Sequence, residues 1–343
     1  MKSTQVFLDH ILGLEAAVRL VNGRLDDLFL ETDVFAPGTI FRAKVEKPVK
    51  GQGGFFVSFP GGVGFLKGTQ GVSSGKRMLV QVSGYAEMGK AIPVTKRLLF
   101  KSRFVIVTPN APGLNISRNI KDESLRDALV DYLKDELASV SFGLILRSSC
   151  ATADFEDIRQ DALAMYNAAN AVLSDKTLEL CRMLQADSPH RLAWREWTGE
   201  ATIFREKGCL HREGVMDLIE DLKLSEVKLV TGSYFIEKTQ ALTAVDVNTG
   251  SDTSSAAALK ANIAMAKDLP RQLRLRGIGG QIVIDPAPMP KKDRRLVDSV
   301  LKAAFRQDPV QTQILGWTAL GLIELQRART RAPLNLKAKR ESR

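Results

Sequence analysis

Two short apolar runs that each carry an aspartate at or near their C-terminal end constrain this chain more than any other feature. TAVDVN spans residues 243–248, and IVID spans residues 282–285. Both are β-branched and too short for helices, so they read as strands. Residues 254–276 between them carry helical spacing, although Pro270 should kink or divide that helix. A strand, a helix-length crossover and a second strand make a right-handed unit with parallel strands. Parallel neighbours carry their C-terminal ends to one side, where open α/β sheets bind ligands. Asp246 and Asp285 are thereby placed to face one another. Asn248 lies two residues beyond Asp246, so its side chain points to the same face.

An ionised carboxylate set among Val and Ile is costly unless it is paired or binds a cation. Two carboxylates and an amide oxygen make a hard, oxygen-rich site, the kind Mg²⁺ takes together with waters and substrate phosphate. Strand-end aspartates also cap turns and helices. Spacing alone leaves both readings open.

The rest of the chain reads as a multidomain α/β (α+β) protein. Residues 15–32 suggest two strands joined by Asn22-Gly23, the strongest short hairpin signal. Residues 36–98 alternate short apolar runs with glycine, which suits a five-stranded barrel of the OB type. Within it Phe55, Val57 and Phe59 share one strand face, and Phe56 and Ser58 the other. One face must fill the barrel; the other either presents a ring for stacking a base or is core as well. Residues 121–140 and 154–187 have helical spacing, with strand GLILRSS (143–149) between them, ending in Arg147 and Ser148. Such an arginine offers a planar fork for phosphate, or makes an ordinary salt bridge. Residues 191–230 give only helix and strand fragments. Arg271, Arg274 and Arg276 suit either phosphate contacts or a solvated helix face.

The balance of 49 Lys and Arg against 39 Asp and Glu gives a net charge of +10, which favours polyanionic partners or serves solubility. Cys150, Cys181 and Cys209 are far apart with no C-x-x-C pair, so a disulfide framework or zinc knuckle is not expected. No stretch of about 18 apolar residues exists to span a membrane. The N-terminal run lacks a signal-peptide pattern. A cytoplasmic location is expected.

Several runs occur in an order that resembles the catalytic core of the ribonuclease E/G family: VRLVNGRLDDLFLE, GFFVSFPGGVGFL, GLNISRNI, GLILRSS, ALTAVDVNTG, RQLRLRGIGGQIVIDPAPM, FRQDPVQ and LGLIEL. The resemblance implies a Mg²⁺-dependent endoribonuclease that cuts single-stranded RNA and leaves 5′-phosphate products. It implies Asp246 and Asp285 as magnesium ligands and Asn248 as a residue that orients the metal's surroundings. It implies Phe56 and Phe65 as the base-stacking pair with Lys90 on the RNA backbone, and Arg147 and Ser148 as the 5′-monophosphate grip. The implied domains are N-terminal strands packing on the catalytic region (1–35), the RNA-binding OB barrel (36–98), a phosphate-sensor-like α/β region (99–192), a reduced ribonuclease H-like remnant with a deoxyribonuclease I-like catalytic subdomain (193–326), and a basic disordered tail (327–343).

The chain departs from the family pattern at several points. No cysteine follows Cys209, so no zinc-linked oligomer is expected, and a monomer or a different dimer stays open. Gln311 stands where the family has a pocket arginine, and Ser102 stands near a pocket glycine. Pro288 replaces an acid three residues after Asp285. These departures keep open a second reading, a catalytically impaired RNA-binding protein with the same fold.

Overall fold

The structure is a computed structural model. It describes residues 3–49, 51–87, 89–137 and 142–334, with residues 135–137 as backbone only. Its contacts divide the chain into two compact units, Met1–Asp33 with Glu200–Arg343, and Val34–Gly199.

The first unit opens with an antiparallel meander of β1 (Thr4–Ile11), β2 (Leu14–Val21) and β3 (Arg24–Leu30). Asn22 and Gly23 turn β2 into β3 with φ of 51° and 72°, the left-handed pair a tight hairpin turn requires. The sequence predicts this hairpin but not β1.

The second unit begins with β4 (Ile40–Val49), β5 (Gly54–Phe59), β6 (Gly62–Lys67), β7 (Arg77–Val82) and β8 (Ile92–Thr95). They pair in the order β4-β5-β6-β8-β7, and β7 returns to β4. The result is a closed five-strand barrel, consistent with an OB fold. Phe41, Phe55, Val57, Phe59 and Val80 fill it, and Phe41 stacks on Phe59 at 4.3 Å between ring centroids.

Beyond the barrel, β9 (Phe100–Lys101), β10 (Val105–Thr108), β11 (Leu114–Ile116) and β12 (Gly143–Leu146) form a small sheet. Helices α1 (Glu123–Leu137) and α2 (Phe155–Ser174) close its core around Leu129, Leu133, Leu146 and Ile158. The expected helix over 154–187 ends early. Strand β13 (Cys181–Leu184) follows α2 and pairs with β4. The cause is tertiary: buried Arg42 in β4 donates to the carbonyls of Asp175 and Thr177, which ends the helix there. Helix α3 (Pro189–Glu196) completes the unit.

The chain rejoins the first unit at β14 (Thr202–Phe204), which adds in parallel to β1. Helices α4 (Cys209–Arg212) and α5 (Val215–Glu220) follow. Buried Asp9 accepts from the backbone N–H groups of Gly208 and Leu210 at 3.2 and 3.1 Å. Burial pushes its carboxyl up, but these bonds to the ionised form outweigh it and hold the pKa low.

The largest sheet of this unit comprises β15 (Glu226–Leu229), β16 (Gly232–Lys238), β17 (Thr243–Asn248), β18 (Gly280–Asp285), β19 (Thr312–Trp317) and β20 (Ile323–Arg327), with α6 (Ser255–Leu275) and α7 (Arg294–Gln307). The order is β15-β16-β17-β18-β20-β19, and β17–β18 is the parallel pair. Helix α6 is the expected crossover, but Pro270 does not divide it. Asp268, two residues before the proline, binds Arg24 at 2.7 Å, Arg271 at 2.8 Å and the Tyr234 hydroxyl at 2.9 Å. These anchors outweigh the backbone bond Pro270 cannot make. Val245, Val247, Ile282, Ile284, Ile323 and Leu325 pack with helix residues such as Met265, Leu269, Val297 and Leu301.

Two expectations need correction. Arg271 and Arg274 of α6 and Arg276 just beyond it are neither free for phosphates nor solvated. Arg271 bonds Asp268, buried Arg274 pairs with Asp27 and Asp308, and Arg276 bonds the carbonyls of Leu222 and Leu224. The basic C-terminal stretch is ordered at its start: Arg327 is buried, and Arg331 reaches Asp27 at 3.1 Å and covers the Phe29 ring at 4.3 Å. Residues 335–343 of the expected tail lie outside the described residues.

Candidate functional site

The register of β17 and β18 pairs Asp246 directly with Asp285. Thr243, Val245 and Val247 alternate toward the helices, so Ala244, Asp246 and Asn248 take the opposite face. Ile282 and Ile284 force the same choice on Asp285. Both carboxylates are exposed, as is Asn248. The desolvation argument made from the apolar runs is therefore wrong for these groups: the helices cover only one face of the sheet. The Asn248 amide donates to Asp246 Oδ2 at 2.9 Å, which fixes the orientation of that carboxylate.

Among the described residues, no Lys or Arg neutralises either aspartate. Nor do three or more His, Cys, Asp or Glu gather as a metal cage. The donor set is two adjacent carboxylates open to water. It fits an ion such as Mg²⁺, which needs few protein oxygens and completes its shell with waters and phosphate. Phe235 pairs opposite Asp246, and Glu324 opposite Val283, so one half-buried ring and a third acid share the carboxylate face.

The loop after Asp285 is held by a residue that sequence reasoning misses. Fully buried Asn262 on α6 donates to the Ala287 carbonyl and accepts from the Ala287 N–H, both at 2.9 Å. A signal is present, since Asn262 falls on the stripe of Ala258, Ala261, Met265 and Leu269 where an amide is out of place. Asn262→Ala leaves both backbone groups of Ala287 unpaired. Unfolding free energy should fall by about 1–3 kcal/mol, measured by urea denaturation. No change would show that the loop is held by other contacts. Gly232 matters at the other edge: a Cβ there would lie 2.1 Å from the Asn248 carbonyl oxygen.

In the second unit, Phe56 and Phe65 stand opposite each other on β5 and β6, with rings edge to face at 5.9 Å. Phe56 is 39% exposed, whereas Phe55, Val57 and Phe59 are buried. The structure thus resolves which strand face is core. Gly54 makes room for the pair, because a Cβ there would lie 2.6 Å from the Phe65 ring. Lys90 is exposed, two residues before β8, whose Ile92 is in register with Gly64. Its ammonium pairs with Glu87.

Arg147 and Ser148 lie just beyond β12, which ends at Leu146 instead of running to residue 149, and Ser148 is exposed at the start of a short 3₁₀ turn. Arg147 is engaged: it pairs with Glu196 Oε2 at 2.6 Å and bonds the Ser102 carbonyl. Burial pushes the Glu196 carboxyl up, but Arg147 and Arg195 hold it below its usual value. The salt-bridge reading of Arg147 therefore describes this state, and nothing in the local sequence announces Glu196. Ser102 bonds Asp161 through its hydroxyl.

The ribonuclease E/G family model matches residues 100–191 and 195–330. Ribonuclease G of Salmonella typhimurium (strain SL1344) is 30% identical over 301 residues, covering 76% of this chain and 61% of that protein. Ribonuclease E of Nostoc sp. (strain PCC 7120) is 30% identical over 306 residues, covering 74% of this chain and 43% of that protein. Ribonuclease G of Escherichia coli (strain K12) is 28% identical over 301 residues, covering 76% and 61%. The matches span 43–61% of the length of these relatives, less than two thirds. Since the family model covers most of the chain from β9 to just beyond β20, and the aspartate-bearing strands fall inside it, the chain belongs to the ribonuclease E/G family.

Proposed function

We propose that this protein is an endoribonuclease that hydrolyses single-stranded RNA at the Asp246–Asp285 face and leaves 5′-phosphate ends. The observation that carries this reading is the parallel register that sets two unneutralised carboxylates side by side on an open sheet face. Magnesium held by Asp246 and Asp285 would neutralise phosphate charge and lower the pKa of a bound water. The protein's own part is positioning. Asn248 holds the Asp246 carboxylate, Asn262 holds the backbone that follows Asp285, and the open face admits a flexible strand. The catalytic sheet with its helices is the part proposed as a deoxyribonuclease I-like subdomain. A 5′-labelled, A/U-rich single strand incubated with and without EDTA tests the proposal. Internal cleavage that EDTA stops is expected; its absence at any Mg²⁺ concentration would leave only an RNA-binding role. Pro288, where the family resemblance implies an acid, favours that second reading.

The barrel supplies RNA binding in this proposal, through Phe56 and Phe65, with Lys90 on the backbone once it leaves Glu87. Phe56→Ala should weaken single-strand binding about 5- to 150-fold, the worth of one stacked base. Fluorescence anisotropy in EDTA measures it, and unchanged affinity would remove the barrel from the RNA path. Arg147 and Ser148 are proposed to meet a 5′-phosphate, which must compete with Glu196 for the guanidinium. Equal cleavage of 5′-monophosphorylated and 5′-hydroxyl strands would argue against that role.

No helix among the described residues is long and apolar enough to cross a membrane. Cytoplasmic work as a monomer or zinc-free dimer belongs to the same proposal.

A further inference from the structure

Trp194 on α3 is 57% exposed, an unusual place for the largest apolar side chain. It ends a built stack. The Arg103 guanidinium carbon lies 5.8 Å from the Phe104 ring centroid and 5.0 Å from that of Trp194. Arg103 also donates to the Trp194 carbonyl, which ties the two segments together. Arg147 bonds the carbonyls of Ser102 and Arg195, the neighbours of Arg103 and Trp194 in sequence. The Arg103 guanidinium therefore lies over a ring held at both its backbone and its face. Arg103 and Trp194 also line a cleft of about 530 Å³ whose other lining residues include Asp157, Gln160 and Asp161. The cleft is roomy enough for a nucleotide-sized ligand.

We propose that Trp194 is a base-stacking site for single-stranded RNA, separate from the barrel, and that it prefers bases carrying an exocyclic amine. The base continues the Phe104–Arg103–Trp194 stack. Arg103 favours a backbone phosphate, and the acceptors across the cleft take the amine N–H groups of adenine or cytosine. Uracil has no such amine. The inference rests on the RNA-binding reading above. It adds a contact in a segment, residues 192–194, that the family model leaves unmatched.

The test uses the full chain in EDTA, with 5′-hydroxyl hexaadenylate and hexauridylate as probes. Hexaadenylate should quench tryptophan emission saturably, and hexauridylate should do so more weakly. Trp197 is buried and Trp317 is bonded to Asp298, so Trp194→Phe should remove most of the quenching. Anisotropy should show a 5- to 150-fold affinity loss for Trp194→Ala, about one stacked base, and near-complete recovery with the aromatic Trp194→Phe. Quenching should persist in Phe56→Ala, which separates this site from the barrel. Unchanged affinity in Trp194→Ala, or equal response to both oligomers, overturns the proposal while leaving RNA binding intact. Failure of the wild-type protein to bind either oligomer would instead remove the RNA reading and this site with it.

Discussion

Asp246→Asn should abolish RNA cleavage while leaving RNA binding and stability close to wild type. The substitution removes one of two like charges set in register on adjacent strands, and its new amide oxygen can still accept from Asn248. The side chain is exposed, so the stability change should stay within about 0.5 kcal/mol. Catalysis should differ, because an amide cannot supply the anionic oxygen that the proposed function asks of Asp246 in holding a hard cation against phosphate. A loss of about 4 kcal/mol of transition-state stabilisation corresponds to about a thousandfold in rate. Asp285→Asn should cost as much, and the double variant little more than either single one, because in the proposed function both carboxylates hold one ion. Single-turnover cleavage of a labelled strand measures all three. A rate within tenfold of wild type for either single variant, or strictly multiplicative losses, would separate the two aspartates and defeat the shared-site argument.

Much of this site is legible in the amino-acid sequence. TAVDVN and IVID flank a crossover of helical length, and a connection of that kind joins parallel strands. The apolar runs mislead about the exposure of the carboxylates, although TAVDVN itself alternates Thr243, Val245 and Val247 with Ala244, Asp246 and Asn248. Such alternation marks a strand with one covered face. The barrel is legible for a related reason: Phe55, Val57 and Phe59 follow the pleat that puts Phe56 outside. Other features depend on partners far away in the chain. β13 forms because Arg42 grips residues 175–177, and Arg147 is occupied because α3 delivers Glu196. Local periodicity carries no information about either event. Arg274 of α6 misleads for the same reason, since its acceptors lie on β3 and beyond α7.

That buried arginine network should yield the largest stability effect in the protein. Asp308, with a side chain 1% exposed, pairs with Arg274 and lies 2.7 Å from Arg327, whose side chain is 0% exposed. Asp27 holds the other side, 3.3 Å from Arg274 and 3.1 Å from Arg331. Burial would push the Arg274 pKa down, yet Asp27 and Asp308 more than offset it. For Arg327 burial wins over Asp308, and its pKa falls. Arg327 is thus the less well compensated charge. Asp308→Ala strips its carboxylate and leaves only the Ile278 and Val310 carbonyls and the Thr312 hydroxyl. Removing one partner of a buried ion pair costs about 3–5 kcal/mol, and for a unit of this size that should lower Tm by about 6–20 °C. Adding Arg327→Met to Asp308→Ala removes the stranded charge and should recover a large part of the loss. A shift under about 1 kcal/mol for Asp308→Ala alone would mean that water reaches the guanidinium. No rescue in the double variant would mean that the cost lies in lost packing around Phe305, over which Arg327 sits, and not in unpaired charge.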